Sequence, residues 1–151
     1  ISFRLATVFG VSFRMRSDLL VNNFVEVSLR EKKISLFEPH FRRNFIHVRD
    51  VVNAFIFAID NFNKMKSNVY NLGLSDANLT KLQLAKKIKI QNKKMKITFK
   101  KNKKDPDQRD YFVSNEKINK AGFKPSFNIE RGIKELLIYF QNNNKNIKNN
   151  Y

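Results

Sequence analysis

The run Arg43-Asn44-Phe45-Ile46-His47-Val48-Arg49-Asp50, leading without interruption into the apolar stretch Val51 to Ile59, constrains this chain more than any other segment. It predicts a short apolar strand, entered at an arginine, that turns directly into a hydrophobic helix. Asp50 is expected at the helix N-cap, its carboxylate facing backbone N–H groups that have no intrahelical partner. Such a corner holds a cation, Arg43, at the mouth of a cleft. A guanidinium there suits phosphate, because its planar fork of donors matches phosphate oxygens.

The remaining elements follow from periodicity and punctuation. Phe3, Leu5, Ala6 and Val8 read as a buried strand closed by Gly10, so the chain is expected to open inside a sheet and to be a truncated piece. A loop with Arg14 and Arg16 precedes a helix starting near Asp18, with Leu19, Leu20, Asn23, Phe24 and Val27 on its inner face. Ile34 to Phe37 is a strand, and Glu38 to Arg42 is a turn. Phe45 to Val48 is a strand or extended turn. Asp50 to Phe62, apolar on nearly all sides, predicts a deeply buried helix. Val69 to Leu72 is a strand ended by Gly73. Thr80-Lys81-Leu82-Gln83 has the form of a capping box opening a helix to about Lys89. Met95 to Phe99 alternates as a strand and Tyr111 to Val113 is expected as a last one. Helices over 115–121, stopped by Gly122, and over 128–142 complete the order. In the second, Ile129, Ile133, Leu136, Leu137 and Phe140 form the inner face.

Composition limits the chemistry. At 151 residues the chain is long enough for a real core. The absence of Cys removes disulfides, thiolate metal sites and a cysteine nucleophile. No apolar run reaches the length of a membrane span, and a reducing cytoplasmic setting is expected. The net charge of +17 invites a nucleic-acid reading, but eleven lysines lie between Lys81 and Lys104, as solvated lysine rather than arginine interleaved with exposed aromatics. Nucleic acid is therefore the weaker partner. His47, flanked by Ile46 and Val48, is expected as a hydrogen-bonded core histidine, and no metal site is expected.

Taken with Arg4-Leu5-Ala6-Thr7-Val8-Phe9-Gly10 upstream and Val69-Tyr70-Asn71-Leu72-Gly73 downstream, the run from Arg43 to Asp50 resembles the C-terminal part of an NAD-dependent epimerase/dehydratase, an extended short-chain dehydrogenase/reductase. The resemblance implies an α/β fold: the C-terminal part of a Rossmann-type enzyme, with residual parallel strands and a small mixed α/β substrate-binding lobe over residues 1–142. Residues 143–151 are expected to be a frayed Asn/Lys-rich tail.

The resemblance also implies roles. Leu5, Ala6, Thr7 and Val8 match a strand passing the nicotinamide end of NAD, with Thr7 turned toward substrate where an Asn is common. Arg16, Asp18 and Leu19 match the loop and helix start that meet the nucleotide. Phe37 matches the position packing on the base, with Ser35 beside it. Arg43 matches the residue gripping the diphosphate, and Phe45 an aromatic of the sugar pocket. Asp107 and Arg109 are candidates to close over diphosphate and ribose, although the commoner Arg-Pro-Gly-Asp order is replaced by Lys104-Asp105-Pro106-Asp107. The glycine-rich turn before Arg43 is likewise replaced, by Glu38-Pro39-His40-Phe41.

Two family motifs do not occur. With four glycines the Gly-x-x-Gly-x-x-Gly dinucleotide turn cannot be assembled, and no tyrosine has a lysine four residues later. No catalytic residue is expected, and the chain alone is expected to be inactive. It reads as the half that holds a nucleoside-diphosphate sugar while NAD is bound mainly by an N-terminal domain. A homodimer of the full-length enzyme is compatible with the resemblance. The alternatives are a non-catalytic sugar-nucleotide-binding or assembly module, or a basic nucleic-acid-binding protein.

Overall fold

A computed structural model describes residues 1–100 and 109–143, and shows three short ladders wrapped by helices. The opening strand is broken at Ala6 into β1 (Ser2–Leu5) and β2 (Thr7–Phe9). β1 pairs in parallel with β5 (Val69–Leu72), register Leu5 to Leu72. β2 pairs in parallel with β4 (Arg42–His47), Thr7 opposite Phe45 and Phe9 opposite His47. The break lets one extended segment change partners. Ala6 N–H still donates to the Leu72 carbonyl at 2.9 Å, while Leu74 N–H donates to that of Phe45 at 2.8 Å.

β4 is also paired antiparallel with β6 (Asn78–Thr80), which the sequence does not announce, and β3 (Lys33–Leu36) runs parallel to β7 (Lys96–Phe99). The helices are α1 (Leu20–Arg30), α2 (Val48–Asp60), the single turn α3 (Phe62–Met65), α4 (Lys81–Gln91), α5 (Glu116–Lys120) and α6 (Ile129–Asn142). α1 packs on α6 and β3, and α4 on α6.

Four expectations are corrected. Asp50 does not cap α2: the cap is His47, whose Nδ1 accepts from Arg49 N–H at 3.2 Å, and Asp50 lies in the first turn. α2 is not buried all round, because Val52, Phe55, Ile56 and Ile59 face outward, Ile59 being 74% exposed. α1 buries Val21, Asn22, Val25 and Ser28, a face rotated from the one its apolar spacing suggested. Tyr111 to Val113 is not a strand. Asn78 instead clips it with a side-chain imitation of strand pairing, Nδ2 donating to the Val113 carbonyl at 3.0 Å and Oδ1 accepting from its N–H at 2.9 Å. Elsewhere the sequence signals match: the Thr80/Gln83 capping box forms, Gly122 ends α5 with φ +106°, and the five apolar residues expected inside α6 are buried. The tail beyond Asn143 lies outside the described residues.

Candidate functional site around Arg43

β4 is the middle strand of a three-stranded ladder, paired with β6 over Arg42–Asn44 and with β2 over Phe45–His47, and it sets Arg43 opposite Leu79 of β6. The strand fixes its direction. Its guanidinium donates from Nη1 to the Arg42 carbonyl at 2.8 Å and lies 5.3 Å from the centroid of Tyr111. Arg43 is 4% exposed, so it is a covered cation rather than one open at a cleft mouth. Desolvating a charge this far is costly unless donors are satisfied, and the cation–π contact is one part of that compensation.

The neighbouring Arg42 faces solvent and anchors the segment that covers Arg43. Its Nε and Nη2 donate to Asp110 at 3.0 and 3.1 Å, and its backbone N–H donates to Asp110 Oδ1 at 2.8 Å. Those bonds, the guanidinium first, hold the Asp110 carboxyl at about 2. Tyr111 is thereby set beside Arg43. Arg109 is exposed next to this anchor, and Asp107 lies outside the described residues.

The other candidates reach the corner by separate routes. Thr7, half-buried, stands opposite Phe45 in the β2–β4 ladder. Phe45 itself is enclosed and meets Phe9 edge-on, centroids 6.5 Å apart, so its ring belongs to the core. Arg16 pairs in a bidentate manner with Asp18, at 2.8 and 2.6 Å, and that guanidinium lowers the Asp18 pKa. Leu19 is the half-buried N-cap of α1. Ser35 Oγ lies 3.0 Å from Thr98 Oγ1 on the β3–β7 ladder, and Phe37 follows the strand with Lys100 Nζ 5.6 Å from its ring centroid. The run Leu5 to Val8 straddles two ladders, Leu5 in one, Thr7 and Val8 in the other.

Sequence reasoning missed the residue joining β2 to the Arg16 loop. Asn22, buried on α1, accepts from Gly10 N–H at 3.0 Å and donates to the Arg16 carbonyl at 3.0 Å. An asparagine inside a helical stretch of apolar neighbours was the available signal. His47 is fully buried, stacked on Phe127 with centroids 4.1 Å apart, and its Nε2 lies 2.9 Å from Glu135 Oε2. Because Nδ1 accepts from Arg49, Nε2 carries the proton and donates. Burial lowers the His47 pKa against the opposing pull of Glu135. Asp50, also buried, accepts from Ser126 N–H and Oγ at 2.9 and 2.8 Å and from Phe127 N–H at 2.9 Å. These groups build the corner.

Gly10 abuts His47, Gly73 abuts Asn44, Gly132 abuts Phe9 and Gly122 ends α5, so each glycine answers to a local contact or turn.

Residues 1–73 match the model of the NAD dependent epimerase/dehydratase family. Over those residues the chain is similar to that family. Among solved structures it is similar to UDP-glucose 4-epimerase from Thermotoga maritima, determined with UDP-glucose: 26% identity, TM-score 0.75, 95% of this chain and 46% of that one. It is similar in fold to ADP-L-glycero-D-manno-heptose-6-epimerase from Helicobacter pylori, at 24% identity and TM-score 0.74, covering 92% and 43%. The dTDP-glucose 4,6-dehydratase from Bacillus anthracis, determined with NAD, shares the fold at 23% identity and TM-score 0.72, covering 95% and 45%. The chain thus spans about half the length of these solved structures. Its α/β architecture with parallel strands is that of Rossmann-type short-chain dehydrogenases.

Proposed function

We propose that this chain is the substrate-holding part of an NAD-dependent nucleoside-diphosphate-sugar epimerase or dehydratase. Arg43 grips the diphosphate, Thr7 meets the sugar, Phe37 and Ser35 meet the base, and Arg16, Asp18, Leu19 and Arg109 line the nucleotide end. NAD and the proton-transferring tyrosine and lysine come from polypeptide outside these residues. The supporting observation is a buried arginine, held in β4 by its pairing with Leu79 of β6, toward which the Tyr111 segment is drawn. A diphosphate reaching it displaces the Tyr111 ring and replaces a weak cation–π contact with a bidentate, charge-assisted pair. Holding the sugar rigidly against a cofactor is itself a large contribution to rate.

The test is titration of the chain with UDP-, GDP-, CDP- and dTDP-sugars. One of them binds weakly, and Arg43→Ala lowers that affinity tenfold or more, as expected for roughly 1.5–3 kcal/mol from a charged hydrogen bond. Arg43→Lys, which keeps charge and loses the fork, falls between. Equal affinity in wild type and Arg43→Ala removes the site assignment.

A second reading has its own support: the chain acts as an assembly module completed by a separate cofactor-binding half. Phe3 and Leu5 present their N–H groups away from β5, and the outward apolar side of α2 adjoins β1 through the Phe3–Phe55 contact, centroids 5.2 Å apart. Activity restored on mixing with an N-terminal half of a relative distinguishes this reading from an inert fragment.

A further inference from the structure

Lys81 has no role in the reading above and occupies an unexpected place. It is the first residue of α4, where the helix dipole disfavours a cation, and it is 4% exposed. The helix start is already served by the Thr80/Gln83 capping box, so the ammonium is not needed to cap it. It reaches instead to the preceding turn. Lys81 Nζ donates to the Phe37 carbonyl at 3.1 Å and lies 5.2 Å from the Phe41 ring centroid.

Two backbone bonds act in the same direction. Lys81 N–H donates to the Phe41 carbonyl and Leu82 N–H to that of Pro39, both at 3.1 Å. The carbonyls of residues 37, 39 and 41 are therefore all held by the first two residues of α4. Within this turn Glu38 takes φ +43°, a left-handed conformation that a non-glycine residue adopts only when its surroundings impose it. The turn is held by α4, in a sequence that has Glu-Pro-His-Phe where its resemblance led one to expect glycines.

We infer that Lys81 is a positioning residue for nucleotide recognition: by binding the Phe37 carbonyl it fixes the turn that presents the Phe37 ring to the base. The inference rests on the substrate reading given above. It predicts a separation between base and phosphate. Lys81 acts through Phe37, so its removal weakens binding of a nucleoside diphosphate and leaves inorganic pyrophosphate, which has no base, unaffected.

The experiment uses the 151-residue chain, with UDP, GDP, CDP, dTDP and pyrophosphate as probes. For the nucleotide that binds best, Lys81→Met lowers affinity about tenfold, the scale of one lost stacking contact, with pyrophosphate affinity unchanged. Lys81→Arg, which keeps a donor, recovers most of the loss. Phe37→Ala lowers affinity similarly, and adding Lys81→Met to it costs nothing more. Should Lys81→Met not fold by circular dichroism, Lys81→Gln replaces it in every arm. Nucleotide affinity unchanged in the variant overturns the inference while the substrate reading stands. Equal losses for nucleotide and pyrophosphate also overturn it, making Lys81 a phosphate contact, as do additive losses in the double variant. A wild-type chain that binds none of the four nucleotides overturns the substrate reading and this inference with it.

Discussion

The strand–helix corner at His47 and the outward side of the helix it leads into are a few residues apart and finished to different degrees. At the corner, Asn44, His47 and Asp50 are buried and each has named partners: Asn44 on the Leu74 carbonyl, His47 between Arg49 and Glu135, Asp50 on Ser126 and Phe127. On the other side of α2, Val52, Phe55, Ile56 and Ile59 form an exposed apolar face next to a strand with one paired edge among the described residues. A polar network inside the fold must close on itself, because an unsatisfied buried group is expensive. An apolar face can be left for another surface to cover, at the cost of solubility.

The contrast can be broken first at the corner. Asp50→Ala strands the buried Phe127 N–H group, removes the acceptor of Ser126, and is expected to cost about 3 kcal/mol, read by chemical denaturation. A loss under 1 kcal/mol means the Phe127 loop does not depend on that carboxylate. Gly132→Ala comes next. Its Cβ would lie 2.3 Å from the Phe9 ring, and overpacking there is expected to cost about 2 kcal/mol. A neutral result shows that α6 can move away from β2.

Acidity gives a third, graded test. Burial holds the folded-state pKa of His47 below its ordinary 6.5, so on acidification the unfolded chain takes up this proton first. Its contribution is complete above about pH 6.5 and is lost as pH falls through the lower folded value. Melting temperature should therefore decline from pH 7 toward pH 5 more in wild type than in His47→Gln, and parallel curves contradict this.

The smallest effect belongs to the open side. Ile59→Lys is expected to change stability by no more than about 0.5 kcal/mol while reducing self-association in sedimentation velocity. A loss above about 2 kcal/mol would show that this face is buried in solution, and the contrast with the corner would disappear.

The outcome of reading these elements from sequence follows the same division. α4 and α6 were legible to within a residue or two because their caps and apolar spacing are local signals. β6 and the Asn78 clip on Val113 were not, since three residues carry no period and a side chain imitating a strand leaves no pattern. The corner misled in one detail. Asp50 has the chemistry of a cap, but His47 holds that place, leaving the carboxylate to bind a loop 76 residues away. At the candidate site, Arg43 was found through a family resemblance, whereas Lys81 and Asn22, which bear on Phe37 and the Arg16 loop, depend on contacts 44 and 6 residues apart.

What the sequence by itself determined is the order and kind of most elements, the residues of the α6 inner face, and a likeness over residues 1–73 to the NAD dependent epimerase/dehydratase family. Tertiary structure alone decided which polar groups face one another: the covering of Arg43 by Tyr111, the turn held by Lys81, the closed network at His47 and the open face of α2. Periodicity is written locally in the chain. The desolvation of a charge and the satisfaction of its donors depend on segments brought together only by folding.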